Sequence, residues 1–154
     1  MTSEQGREFI ERQEGTSPTV YKDVAEIPTV GWGHKLTPAE AAFLKDAYPN
    51  GIPAAMAEFL LLGDLESAEH SVRTTIHNVG ALSQNQFDAL ASFAFNIGPT
   101  AFAKSTLAKK VNDGDFAGAA DEFSRWTYAG GKFSQSLANR RAAEKDLFQE
   151  GAYI

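Results

Sequence analysis

Residues 14–34 read Glu14-Gly15-Thr16-Ser17-Pro18-Thr19-Val20-Tyr21-Lys22-Asp23-Val24-Ala25-Glu26-Ile27-Pro28-Thr29-Val30-Gly31-Trp32-Gly33-His34. Gly15 is a good left-handed stop for a helix that ends at Glu14. Ser17-Pro18 then breaks the chain. From Thr19 to Gly33 the pattern predicts extended structure with a turn around Val24–Pro28. In Thr29-Val30-Gly31-Trp32-Gly33, Thr29 and both glycines share one face, and Val30 and Trp32 the other. A face without side chains lets a flat ligand approach the backbone.

Outward from this stretch the pattern is helical. Residues 3–14 read as a short helix, with Ser3 as cap and Phe9 and Ile10 as its apolar face. Thr37-Pro38-Ala39-Glu40 is a helix start with Pro38 in the first helical position. Tyr48-Pro49-Asn50-Gly51 is a turn. The longest helical stretch runs from Pro53 to Ile76, with Met56, Phe59, Leu60, Leu65, Val72 and Ile76 as its apolar face. Gly63 inside it costs about 1 kcal/mol against alanine, which predicts close packing or a bend there.

Ser83-x-x-Gln86 is a capping box, followed by Phe87, Leu90, Ala91 and Ala94 at core spacing. Gly98-Pro99 ends that segment. Asp115 caps a further helix with the face Phe116, Ala119, Phe123 and Trp126, which Gly130-Gly131 breaks. A last helix spans Ser136 to Gln149. The expected class is α+β and predominantly helical, with one small β element near the N-terminus.

Composition excludes several functions. The chain has 154 residues, no cysteine and a net charge of −6. That size supports a core without disulfides. A nucleic-acid partner is not expected, because phosphate binding needs a basic stripe. No run of about 18 apolar residues offers a membrane span. The N-terminus lacks the basic start and apolar core of a signal peptide, which predicts a cytoplasmic protein unless another agent releases it.

Two carboxylates suit acid–base chemistry. Glu14 sits at a helix C-terminus, where the dipole disfavours its charged form, and Glu11 one turn earlier adds like-charge repulsion. Both effects favour a protonated acid. Asp23 ends a strand at a turn, and Lys22 beside it is expected to help keep it ionised. Glycoside hydrolysis needs one protonated and one ionised carboxyl flanking the bond. Thr29, across the turn from Asp23, offers a hydroxyl to hold a water. His34, His70 and His77 show no metal-type spacing, so no metal site is expected.

The ordered set of motifs resembles the phage-type lysozymes, or endolysins. Eight residues separate Glu14 from Asp23 and five separate Asp23 from Thr29, which opens Thr29-Val30-Gly31-Trp32-Gly33-His34. The resemblance continues through Leu60-Leu61-Leu62-Gly63-Asp64-Leu65, Gln84 to Leu90, Phe93 to Gly98, Phe102 to Leu107, Arg125-Trp126 and Asn139-Arg140-Arg141. It covers nearly the whole chain.

This resemblance implies a single lysozyme-like domain over residues 1–154. A small β-containing lobe would occupy 15–52 and a connecting helix 53–76. A helical lobe would occupy 77–154, with helix 3–14 packed on it. It implies that Glu14 is the general acid, that Asp23 orients or activates the attacking water, and that Thr29 lines the water site. Inversion is expected, with carboxyls roughly 6.5–9.5 Å apart. Arg140 would pair with Glu14, a choice over Arg141 that helical spacing alone does not make. His34 would form a structural pair with Asp64. Tyr21, Gly33, Phe95, Asn96 and Ser105 are the implied substrate contacts. The polarity of Asn96 and Ser105 beside apolar helix faces agrees with a cleft lining, while Trp126 is read as core.

The implied substrate is bacterial peptidoglycan, bound in a cleft between the lobes and cut at the β-1,4 bond after N-acetylmuramic acid. No cofactor is required. A monomer without membrane insertion, released through a holin-type pore, completes the expectation. Lytic transglycosylase activity and a non-catalytic glycan-binding virion domain are the alternatives. Two departures stand out: Glu26 occupies a turn position where the family has glycine, and Pro28 precedes Thr29. The acidic net charge also predicts weak long-range attraction to an anionic wall.

Overall fold

The computed structural model describes residues 1–154, all of the chain. It divides into two compact units, residues 11–64 and residues 1–10 with 65–154. The fold is α+β and mostly helical, as the pattern predicts.

The unit of residues 11–64 begins in the last turn of helix α1 (Glu4–Glu14). Strands β1 (Ser17–Lys22), β2 (Pro28–Gly31) and β3 (His34–Lys35) form an antiparallel sheet in the order β1-β2-β3. Tyr21 stands opposite Thr29, and Val30 opposite His34. The extended reading of 29–33 is therefore corrected: the chain reverses within Gly31-Trp32-Gly33. Gly31 and Gly33 have φ of +64° and +70°, a left-handed conformation that glycine adopts without steric cost. Trp32, at the tip of this reversal, still packs with Val30 against the small core of Leu36, Ala41, Ile52 and Ala57.

Helix α2 (Pro38–Ala47) starts as expected. Thr37 Oγ1 accepts the Glu40 N–H at 3.2 Å, and Glu40 Oε2 accepts the Thr37 N–H at 2.8 Å. This reciprocal pair satisfies two donors that a helix start leaves open.

Helix α3 (Ala54–Thr75) matches the predicted long helix, and its expected apolar face is kept at Leu65 and Val72 but not at Phe59. Ala57, Leu61, Leu65, Ala68 and Val72 are buried, whereas Phe59 is 76% exposed. Phe59 lies two residues from both Ala57 and Leu61, which turns it about 200° away from that stripe. A Cβ on Gly63 would meet nothing within 4 Å, so the expected close packing there is absent.

The other unit is built around α4 (Gln84–Ile97), whose residues from Phe87 to Ala94 are all buried. A helix buried on every side is central to its layer. Around it come α5 (Pro99–Ala103), α6 (Thr106–Asn112), α7 (Phe116–Glu122) and α8 (Gln135–Glu150). The Phe93 ring meets Phe102, Phe123 and Trp126 edge-on at centroid distances of 6.2, 5.3 and 5.5 Å. The Ser83–Gln86 and Asp115 caps form as expected.

A second β element corrects the expectation of only one. Strands β4 (Tyr128–Ala129) and β5 (Lys132–Phe133) pair around Gly130-Gly131. Both glycines have positive φ, which is what a two-residue hairpin turn requires.

Asp88, fully buried, ties the ends of the chain to this unit. It accepts the Ser3 N–H at 3.0 Å, the Ser3 hydroxyl, Gln84 Nε2 at 2.9 Å and the Tyr153 hydroxyl at 2.8 Å. Ser3 Oγ in turn accepts the Gly6 N–H at 3.0 Å and so caps α1. No helix is long and apolar enough to cross a membrane.

Candidate active site

Glu14, Tyr21, Asp23, Thr29, Gly33, His34 and Asp64 all belong to the unit of residues 11–64. Glu14 closes α1, and Gly15, at φ +63°, turns the chain away while its N–H still bonds to Glu11 O at 3.1 Å. The Glu14 carboxylate comes to rest against Gly33. A Cβ on residue 33 would stand 2.7 Å from Glu14 Oε2, so a side chain there would displace the carboxylate.

Asp23 organises the β1–β2 turn through both backbone and side chain. Its N–H bonds to Ile27 O at 3.0 Å and its carbonyl accepts the Glu26 N–H at 2.9 Å. Its Oδ1 accepts the N–H groups of Ala25 and Ile27 at 2.8 and 2.9 Å. Lys35 Nζ donates to Oδ2 at 2.6 Å. Burial opposes the charge on Asp23, but the Lys35 hydrogen bond and the two backbone donors prevail and hold its carboxyl below the usual range. The expectation for Lys22 is corrected: it pairs with Glu26 at 3.4 Å, and Lys35, which sequence reasoning missed, supports Asp23. The missed signal is hairpin register, since Lys35 lies opposite Thr29 on β3.

Thr29 is 2% exposed, and its hydroxyl donates to Ile27 O at 2.9 Å. Its proton is thus committed, and Oγ1 keeps lone pairs that can accept from a water. Tyr21 lies between the two carboxylates electrostatically. Burial and the charges of Glu14 and Asp23 push its phenol up, while Lys35 pulls it back.

His34 Nδ1 and Asp64 Oδ2 are 2.7 Å apart. The hydrogen bond to Asp64 raises the histidine pKa against the opposing effect of burial, and the charges of Asp64 and Glu40 add to the rise. Glu26 adopts φ +62°, the only non-glycine residue with positive φ.

The remaining predicted residues lie in the other unit. Phe95 is half-buried. Asn96 Oδ1 accepts from Arg141 Nη2. Ser105 caps α6, accepting the Ala108 N–H at 3.1 Å and donating to Phe102 O at 2.7 Å. Asn96 and Ser105 thus both have hydrogen-bond partners within the protein. Arg140 Nε donates to Glu144 Oε1 at 2.8 Å, and Arg141 Nη1 to Glu144 Oε2 at 2.6 Å. Ser92 Oγ adds a bond to Glu144 Oε1 at 2.9 Å. Glu144, fully buried, was missed, although its positions four and three residues after the two arginines are helical pair spacings.

Comparisons with known proteins identify the family. The phage lysozyme family model matches residues 11–144. The endolysin of Acyrthosiphon pisum secondary endosymbiont phage 1 is 39% identical over 151 residues, covering 96% of this chain and 97% of the relative. The endolysin of Bacillus phage PZA is 39% identical over 152 residues, 97% of this chain but 55% of the relative. The chain thus spans about half the length of that longer protein. Among solved structures, the endolysin from Escherichia coli O157:H7 phage FAHEc1 matches with a TM-score of 0.80 and 32% identity, covering 100% of this chain and 96% of that one. The chain therefore belongs to the phage lysozyme family of lysozyme-type glycoside hydrolases.

Proposed function

We propose that this protein cleaves the β-1,4 bond between N-acetylmuramic acid and N-acetylglucosamine in peptidoglycan, with inversion, and serves host lysis. Glu14 protonates the leaving oxygen. A water donating its hydrogens to Asp23 Oδ2 and Thr29 Oγ1 keeps a lone pair free for attack on the anomeric carbon. Tyr21 and the bare backbone at Gly33 contact the sugars beside the scissile bond. The observation that carries this reading is the gathering of Glu14, Tyr21 and Asp23 in one electrostatic neighbourhood, with the Glu14 carboxylate seated against Gly33.

The test is digestion of purified peptidoglycan in heavy-oxygen water, followed by mass spectrometry of the products. The expected products end in reducing N-acetylmuramic acid carrying one heavy oxygen, and Glu14→Gln yields none while remaining folded. A 1,6-anhydro product would mean a lytic transglycosylase. No cleavage by the unaltered protein, with retained glycan binding, would mean a non-catalytic domain. NMR of the first-formed anomer reads the stereochemistry.

We propose further that the enzyme waits as a monomer in the host cytoplasm until a holin-type pore opens. Fractionation of cells expressing it without such a pore is expected to leave it in the cytoplasm. Its appearance in the periplasm there would overturn this route.

A further inference from the structure

The Asp23 carboxylate is more heavily engaged than a free catalytic base. Oδ1 accepts two backbone N–H groups, from Ala25 and Ile27. Oδ2 accepts Lys35 Nζ at 2.6 Å. A carboxylate oxygen has room for about two donors, so Oδ1 is filled and Oδ2 has one acceptor position left. The Asp23 side chain is 18% exposed and that of Lys35 is 60% exposed, so the ammonium reaches in from solvent.

The other charged groups nearby do not share this role. Tyr21 on β1 stands opposite Thr29 and feels both Glu14 and Asp23. Lys22, next in the chain, is turned to Glu26. Glu14 at the end of α1 is itself a carboxyl group and offers no cation. Lys35 from β3 is the cation in direct contact with the Asp23 carboxylate.

We propose that Lys35 is a positioning residue that presents Asp23 Oδ2 to the attacking water and makes Asp23 an orienting acceptor rather than a proton-removing base. This rests on the hydrolase reading above. The chemistry balances without a strong base. The glycosidic C–O bond breaks as Glu14 gives its proton to the leaving oxygen. Water adds to the anomeric carbon, and the resulting oxonium is acidic enough to lose its extra proton to solvent after the new bond forms. The low basicity of Asp23, held below the usual carboxylate range, is what such an orienting group tolerates and a general base does not.

Two measurements test this together. The first is a carbon-13 NMR titration of the Asp23 carboxyl in the unaltered protein, Lys35→Met and Lys35→Arg. The second is the pH profile of kcat/KM for wall hydrolysis by the same three proteins. In Lys35→Met, the Asp23 titration and the acid limb of the profile are expected to move up together by about one pH unit, the low end for loss of an opposite charge. Lys35→Arg is expected to restore both. If Lys35→Met does not fold, Lys35→Gln removes the charge while keeping a donor, with the same expected direction. An acid limb that stays in place in an active Lys35→Met protein overturns the role of Lys35. Inactivity of the unaltered protein overturns the hydrolase reading instead, and the NMR titration still decides whether Lys35 sets the Asp23 charge.

Discussion

The carboxylate of Glu14 occupies the space that a side chain on Gly33 would need. The approach is 2.7 Å from Oε2 to the position of a Cβ, at a residue whose φ is +70°. Gly33→Ala is therefore expected to act twice. The left-handed backbone costs about 1–2 kcal/mol for a non-glycine residue. The displaced carboxylate costs on the order of a hundredfold in rate, the scale of a 1 Å misplacement. Turbidity clearing of wall suspensions beside a thermal melt separates the two. A folded Gly33→Ala protein with an unaltered rate would show that Glu14 does not work from this position.

Glu26 predicts the opposite sign. It holds φ +62° in a turn where its side chain makes only an exposed pair with Lys22. Glu26→Gly removes the left-handed strain and adds back some chain entropy in the unfolded state. The net expectation is a gain of about 0.5–1 kcal/mol in urea unfolding. A loss of stability would mean that the Lys22 pair outweighs the strain.

The His34–Asp64 pair makes stability depend on pH with a definite sign. The folded-state pKa of His34 lies above its ordinary value of 6.5. Its contribution is therefore complete below 6.5 and is lost as pH rises through the raised value. Urea midpoints are expected to fall across that window and to level off above it. Asp64→Asn is expected to flatten this slope, and an equal slope in that variant would assign the titration to another group.

Glu144 carries the most severe stability prediction. It is wholly buried and neutralises two buried arginines, Arg140 and Arg141. Glu144→Gln preserves shape but removes the buried negative charge that both arginines contact. The expected loss is about 3–5 kcal/mol, as for removal of one partner from a buried pair. Urea or thermal unfolding reads it, and a change below about 1 kcal/mol would mean that the arginines find other anions or water.

Helices were legible where caps and period agreed. Ser83-x-x-Gln86, Thr37-Pro38 and Asp115 marked starts that the structure keeps, because capping depends on neighbours in sequence. The β elements were legible only in part. Alternation in Thr29-Val30-Gly31-Trp32-Gly33 fits a strand, yet two left-handed glycines fold it back. Gly130-Gly131 read as a helix break, and the two-residue strands on either side are too short to show a period. Of the proposed site residues, Glu14, Asp23 and Thr29 are named by their spacing in the family motif. Lys35 was not, because its contact with Asp23 depends on the register of β2 with β3. Phe59 was misplaced because an apolar residue was assumed to face inward, and the stripe of Ala57, Leu61 and Leu65 runs on the other side.

The Asp88 knot has a use in engineering. Ser3 and Tyr153 both donate to its Oδ2, so the segments that carry Met1 and Ile154 meet at one carboxylate. A linker of about five to eight residues, at roughly 3.5 Å each, is enough to join Ile154 to Met1. The molecule is thus suited to circular permutation, with new ends opened at the exposed Gly130-Gly131 hairpin tip. A cargo fused at Met1 or Ile154 would emerge beside Asp88 in the unit that lacks Glu14 and Asp23.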